Sequence, residues 1–247
     1  MVLTFFFFSF FTVAMGMVAK TARDAYFLSR FEKSFLPLMF LAIAIVIAPT
    51  LTYYTKLTNK FSPRKLFIIT CSIFTGSFIL IQPLISGLFI PVAYIWVEIV
   101  VAIMLIQFWT FTSSSLEPQQ AKRLFGIIGG GGSFAVMLIG MNLKPFVKAF
   151  GTDELLIVSA GFLIIAFVFG ILSIQYFNKI PVKKGAAKKA SKKKKRKKDP
   201  FIIGIGTIVA LSAIVTVLVD YQFKIIASST FPNEADLVAF FGSFYSI

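Results

Sequence analysis

The sequence contains no histidine and only one cysteine, Cys71, among its 247 residues. Without histidine, a zinc site built from His and Cys ligands is excluded. A serine or cysteine nucleophile activated by an imidazole is excluded as well. One cysteine cannot form a disulfide within the chain. We therefore do not expect an enzyme, and we expect neither a metal ion nor a cofactor.

Charge is also scarce, at 14% of residues, whereas 57% are hydrophobic and the mean hydropathy is +0.87. A helix of about 20 apolar residues crosses a bilayer. The longest uncharged run, 66–97, exceeds one span, and we expect it to break near Pro83, Gly87 and Pro91. Glu98 then interrupts a span of residues 91–111. The uncharged runs are 1–19, 34–55, 66–97, 99–116, 124–143, 155–178 and 200–219.

These runs predict seven transmembrane helices and an eighth that begins near Leu237, so the fold class is an all-α polytopic membrane protein. A transmembrane barrel would instead show runs of about ten residues with alternating polarity. The first run lacks the basic segment and the small-residue cleavage site of a signal peptide, and we interpret it as a helix.

The positive charge is unevenly distributed, since twelve of the 25 Lys and Arg lie between Lys179 and Lys198. We expect a six-helix bundle in residues 1–178, a basic cytoplasmic linker in 179–199, and the first one or two helices of a second bundle in 200–247. With that linker inside, 18 basic residues lie on the cytoplasmic side and 7 on the other, in agreement with the positive-inside rule. This predicts an integral protein of the bacterial inner (plasma) membrane.

The lysine run 192–198 has two interpretations. It resembles a nuclear or nucleic-acid-binding signal, but we favour a self-repelling linker that contacts anionic lipid. The second bundle has only begun at Ile247. We expect the missing C-terminal helices to belong to the same protein or to a separate chain.

Charged residues within the predicted spans occur only in the first, fourth and seventh. Each costs at least about 2.5–3.5 kcal/mol at the bilayer centre, so chance placement is rare. They could instead extend to the interface from helix ends, although carboxylates are too short to reach far. A spacing of three spans suggests a transporter built from three-helix repeats. The residues are Lys20, Arg23 and Asp24, then Glu98, then Asp220 and Lys224.

Spacing predicts how these charges pair. Lys20 and Asp24 are four residues apart on one helix face, so we expect them to neutralise each other in part and leave Arg23 as a cation with a forked donor. Asp220 and Lys224 repeat that spacing in reverse order. Glu98 has no charged neighbour on its helix, so it either finds a partner on another helix or is protonated. A coupling proton and a neutral carboxyl that fixes helix packing both remain open for it.

Three further short motifs bear weakly on the architecture. Asp24-Ala25-Tyr26-Phe27 is echoed by Asp220-Tyr221-Gln222-Phe223, which supports an internal repeat. Gly126 and Gly130 form a small-xxx-small pair that predicts close helix packing. The neighbouring glycines 129–132 lack the Lys-Ser/Thr of a phosphate loop. Residues 59–65 are similar to the Asp-Arg-x-Gly-Arg-Arg/Lys loop of major facilitator proteins, with Asn59 replacing the acid.

The sequence resembles the nucleotide (ATP/ADP) transporter branch related to the major facilitator superfamily. The segments that carry this resemblance are Lys20-x-x-Arg23-Asp24-Ala25-x-Phe27-Leu28, Ala121-Lys122-Arg123-Leu124-Phe125-Gly126, Val219-Asp220-Tyr221-Gln222-Phe223-Lys224 and Ala239-Phe240-Phe241-Gly242-x-Phe244-Tyr245. The resemblance implies twelve helices, a cavity lined by helices 1, 4, 7 and 10, and alternating access by rocking of two halves.

Residues and resemblance together predict a transporter for a small anionic, phosphorylated solute such as a nucleotide. We expect Lys20, Arg23 and Lys224 to bind it, Asp24 and Asp220 to orient those cations or act as a gate, and Glu98 to carry a coupling proton. The alternatives are a membrane scaffold that does not transport, and a carrier of lipid or another solute on the same fold.

Overall fold

A computed structural model of the chain describes residues 1–84, 89–116, 118–177 and 200–245, and every regular element in these ranges is helical. The predicted basic linker, residues 179–199, lies outside the described residues. Short 3-10 turns cover Lys33–Phe35 and Gln82–Leu84. The helices are α1 Val2–Arg30, α2 Leu36–Lys60, α3 Pro63–Ile81, α4 Phe89–Ser115, α5 Pro118–Phe150, α6 Leu155–Phe177, α7 Pro200–Thr230 and α8 Glu234–Tyr245.

Seven of these helices, α1 to α7, are long and apolar enough to cross a membrane. The prediction of an all-helical polytopic membrane protein is thereby confirmed. The long uncharged run breaks where expected, since α3 ends at Ile81 and α4 begins at Phe89. Pro91 lies in the first turn of α4 and not in the break, because a proline there removes no helical hydrogen bond. Gly87 lies outside the described residues.

Several helices extend past the uncharged runs that predicted them. Lys144 and Lys148, which follow the uncharged run 124–143, lie in the last turns of α5. Between α2 and α3 only Phe61 and Ser62 remain, so most of the predicted loop 59–65 is helical. Charged residues at a helix end keep helical backbone dihedrals and place their charge at the interface. The end of an apolar run therefore predicts where the chain leaves the membrane, and it does not predict where the helix ends.

Helix α1 lies at the centre of the bundle and packs against α4, α5 and α6. In its apolar segment 61% of residues are buried, compared with none in that of α7. Helix α3 packs on α6, α2 on α4, and α8 on α5 and α1. Helix α1 therefore contacts more of the bundle than α7 does.

Close packing of α1 against α5 uses glycines next to the predicted pair. A Cβ atom at Gly126 or Gly130 would meet nothing within 4 Å, so the prediction of a tight contact at those two positions is wrong. A Cβ at Gly131 would overlap the backbone oxygen of Phe6, and one at Gly132 would approach Val13 to 3.0 Å. The glycine run does allow α1 and α5 to approach closely. The glycines that face α1 are Gly131 and Gly132, and not the predicted Gly126 and Gly130.

Aromatic contacts hold α1 and α4 together on both sides of their charged residues. Phe8 and Phe108 pack edge to face with ring centroids 5.3 Å apart, and Phe27 packs on Tyr94 at 5.1 Å. Such pairs contribute roughly 0.5–1.5 kcal/mol beyond their buried area. They fix the register in which Lys20 and Arg23 of α1 face Glu98 of α4.

Candidate functional site

Six charged side chains from α1, α4 and α7 form one connected group of ion pairs, here called the charge cluster. It consists of three cations and three carboxylates, so its formal charge is zero. Its members are Lys20, Arg23, Asp24, Glu98, Asp220 and Lys224.

One half of the charge cluster joins α1 to α4. Lys20 Nζ donates to Glu98 Oε1 at 2.9 Å, and Arg23 Nη1 donates to Glu98 Oε2 at 2.6 Å. Lys20 and Arg23 lie three residues apart on α1, so the two oxygens of one carboxylate can reach both. Glu98 lies nine residues after Phe89, about 14 Å along α4. Of the two alternatives for Glu98, the structure shows the partner on another helix.

The other half joins α1 to α7. Lys224 Nζ lies 2.8 Å from Asp220 Oδ2, one helical turn away, and 3.1 Å from Asp24 Oδ2. Arg23 Nε donates to Asp24 Oδ1 at 3.3 Å and thereby connects the two halves. The two aspartates that form the sequence echo thus share one ammonium group.

The predicted pair of Lys20 with Asp24 is wrong. Glu98 occupies the position between Lys20 and Arg23, while Asp24 faces α7 and pairs with Lys224 and Arg23. Four-residue spacing on α1 brings Lys20 and Asp24 to one face, but charges on neighbouring helices decide which partner each receives. Arg23 is consequently held by two carboxylates, those of Asp24 and Glu98.

Burial differs along the charge cluster. The side chains of Arg23, Asp24 and Lys224 are 7%, 4% and 3% exposed. Those of Lys20, Asp220 and Glu98 are 37%, 34% and 21% exposed. A buried charge is tolerated only when it is paired and hydrogen-bonded. The centre of the charge cluster is therefore held by its pairing, and its rim is partly exposed.

Tyr94 supports the charge cluster and was not predicted from the sequence. Its carbonyl oxygen accepts a hydrogen bond from Arg23 Nη1 at 3.1 Å, and its ring lies 4.3 Å from the guanidinium carbon. Its hydroxyl lies 3.4 Å from Lys224 Nζ. The available signal was its position four residues before Glu98, which places both on one face of α4.

Two cavities flank the charge cluster. The first, about 430 Å³, lies among α1, α4, α5, α7 and α8, and the second, about 560 Å³, lies among α1, α2, α4 and α7. Lys20, Arg23 and Asp220 line both of them. The same charged groups thus meet two separate spaces.

A second polar group, here called the end cluster, joins the connections at one end of the bundle. Glu234, in the first turn of α8, accepts hydrogen bonds from Thr152 Oγ1 at 2.8 Å and from Ser29 Oγ at 3.2 Å. Arg30 Nη2 lies 3.4 Å from the same carboxylate. Tyr26 donates its hydroxyl to the carbonyl of Thr152 at 2.8 Å. Sequence reasoning did not find this group, because its members come from three distant segments.

In the described part of the chain, His, Cys, Asp and Glu do not gather into a group of three or more that could hold a metal ion. Comparisons with family models, with curated proteins and with solved structures find no match to this chain. The resemblance to nucleotide transporters therefore stays a prediction from the sequence motifs.

Proposed function

We propose that the protein is a membrane transporter of the major-facilitator type that moves an anionic, phosphorylated solute by alternating access. A nucleotide is the expected substrate, with exchange of ATP for ADP as the expected reaction. The observation that carries the proposal is the charge cluster, because residues from α1, α4 and α7 meet there between two cavities.

A phosphate group suits the cations of this site. The guanidinium of Arg23 offers a planar fork of donors, which matches phosphate oxygens in a bidentate geometry. Lys20 adds a second positive charge beside it, since both bind the same Glu98 carboxylate. A bound phosphate in the place of Glu98 would keep both cations paired.

Because the charge cluster is formally neutral, an anion binds only by displacing a carboxylate. Of the two carboxylates that bind Arg23, Glu98 is the better placed to leave, since it is less buried than Asp24. Once displaced, its carboxylate has lost two cationic partners and takes up a proton readily. In this way substrate binding and the proposed proton coupling at Glu98 become one event.

Alternating access requires the same binding groups to meet each side of the membrane in turn. Lys20, Arg23 and Asp220 already line two cavities. The pair of Lys224 with Asp24 joins α7 to the first six helices. We propose that Asp24 and Asp220 hold Lys224 in this state and release it when the halves rock.

The test is uptake of labelled ADP by proteoliposomes that contain the full-length protein. Arg23→Lys keeps the charge but loses the fork that reaches Asp24 and Glu98, and we expect a reduction in uptake of roughly tenfold or more. Asp220→Asn removes one anchor of Lys224 and should also slow exchange. Lys56→Gln, at an exposed position on α2, serves as the control and should transport normally. Rates equal to wild type in both site variants would overturn the assignment.

A further inference from the structure

The first cavity is elongated along α1, with a charged end and an apolar middle. Thr12, Gly16 and Lys20 follow one another at intervals of four residues and all line it. Eight residues of α-helix separate Thr12 from Lys20, which is about 12 Å along the axis. Apolar side chains form the walls between these two ends, namely Val13, Met17, Val101, Leu105 and Val136.

At the end remote from the charges, the hydroxyl of Thr12 is unsatisfied. Thr12 is 2% exposed, and its Oγ1 has no hydrogen-bond partner among the described residues. Other buried threonines, such as Thr70 and Thr112, donate to the carbonyl four residues earlier in their own helix. A buried polar group without a partner costs about 1–3 kcal/mol. Thr12 combines such a hydroxyl with a place in the lining of the first cavity, where a ligand could supply the partner.

We propose that Thr12 recognises the uncharged end of an elongated substrate whose anionic end is bound at the charge cluster. This inference rests on the proposed function and specifies its substrate class. The ligand is a phosphorylated molecule about 12 Å long, with a flat part that fits between the apolar walls and a hydrogen-bonding group at its far end. A nucleoside diphosphate meets this description, with the diphosphate at Lys20 and Arg23, the flat base between the apolar walls and the outer edge of the base at Thr12.

A short anion does not meet the description. Inorganic phosphate or pyrophosphate can bind Lys20 and Arg23, but it is too short to reach Thr12 at the same time. Substitution of Thr12 should therefore affect long and short phosphorylated ligands differently. A threonine needed only for packing of α1 would affect both alike.

The experiment compares two threonines of α1. The full-length protein is placed in nanodiscs, and binding of labelled ADP is measured directly and in competition with pyrophosphate. Thr12→Val removes the hydroxyl and keeps the side-chain shape, and we expect it to weaken ADP binding roughly five- to tenfold. Pyrophosphate binding should stay within twofold of wild type.

Thr21→Val is the matched control. Thr21 is 1% exposed and its hydroxyl is also unbonded within the described residues, but it does not line the first cavity. This variant should leave both affinities unchanged. Failure of both ligands to bind the wild-type protein would overturn the proposed function and this inference with it. Normal binding of both with no selective loss in Thr12→Val, or an equal loss in Thr21→Val, would overturn the inference alone.

Discussion

At the scale of single residues, Arg23 is the centre of the candidate site. It contacts Asp24, Glu98 and the carbonyl of Tyr94, and its guanidinium lies over the Tyr94 ring. Replacement of a buried ion pair by apolar residues often stabilises a protein, so such pairs are poor evidence of a purely structural role. For a connected group of six charges at the edge of two cavities, we therefore propose ligand binding in place of a role in stability alone.

Glu98 allows these roles to be separated. Glu98→Gln keeps the shape of the side chain but removes the negative charge between Lys20 and Arg23. We expect the free energy of unfolding to fall by about 2 kcal/mol, because two cations lose an ionic partner. We also expect pyrophosphate to raise the thermal unfolding midpoint more than it does in the wild type, since the cations no longer have to be released by Glu98.

Both effects are measured by thermal unfolding in detergent with and without pyrophosphate. Glu32→Gln removes an exposed carboxylate beyond the end of α1 and should change neither value. An unchanged midpoint in Glu98→Gln, together with an unchanged response to pyrophosphate, would contradict competition between Glu98 and the anion.

At the scale of whole helices, packing of α1 against α5 depends on the absence of a side chain at Gly131. Gly131→Ala places a methyl group against the backbone oxygen of Phe6, and a backbone cannot move aside as a long side chain can. We expect a loss of about 1–3 kcal/mol from this overpacking, seen as a lower thermal unfolding midpoint.

Gly130→Ala is the matched control one position away. Its added methyl group meets nothing within 4 Å, and alanine is favoured over glycine in a helix by up to about 1 kcal/mol. This variant should be as stable as the wild type or more so. Equal destabilisation by both substitutions would show that helix α5 is sensitive to any side chain there, and not to contact with α1.

Much of the helical framework could be predicted from the sequence, because the length of an apolar run and its charges report directly on the membrane. The residues that bear charge within it could be named for the same reason. Their partners could not, since Lys20 pairs with Glu98, which is 78 residues away. Which side of the glycine run meets α1 depends on rotation of α5, and hydropathy does not fix that rotation when nearly every position is apolar.

At the scale of the molecule, the end cluster joins three distant segments at one end of the bundle. Glu234 binds Ser29, Arg30 and Thr152, and so it connects α8 with the end of α1 and with the α5–α6 connection. Its place in the first turn of α8 also favours a negative charge. The charge cluster and the end cluster both join the first six helices to the segment after residue 200, so opening at this end requires the end cluster to come apart.

Glu234→Gln should therefore favour the open form. Hydrogen bonds to a charged group contribute about 1.5–3 kcal/mol each, so loss of the charge should raise the population of open molecules roughly tenfold or more. A reporter cysteine at Thr21, in a Cys71→Ala background, reads this out through its rate of reaction with a water-soluble maleimide. Thr21 is 1% exposed and lies on α1 between Lys20 and Arg23 of the charge cluster, so it reacts only when the bundle opens.

Asp236→Asn removes a carboxylate from the same turn of α8 that is bonded only to Asn233 among the described residues, and it should leave the labelling rate unchanged. A faster reaction in Glu234→Gln alone would assign closure of this end to the end cluster. Equal rates in the two variants would show that helix packing, which holds α8 against α5 and α1, keeps this end closed without the carboxylate. In that case the proposed gate would consist of the pair of Lys224 with Asp24 without the end cluster, and the link between α7 and α1 would depend on that pair.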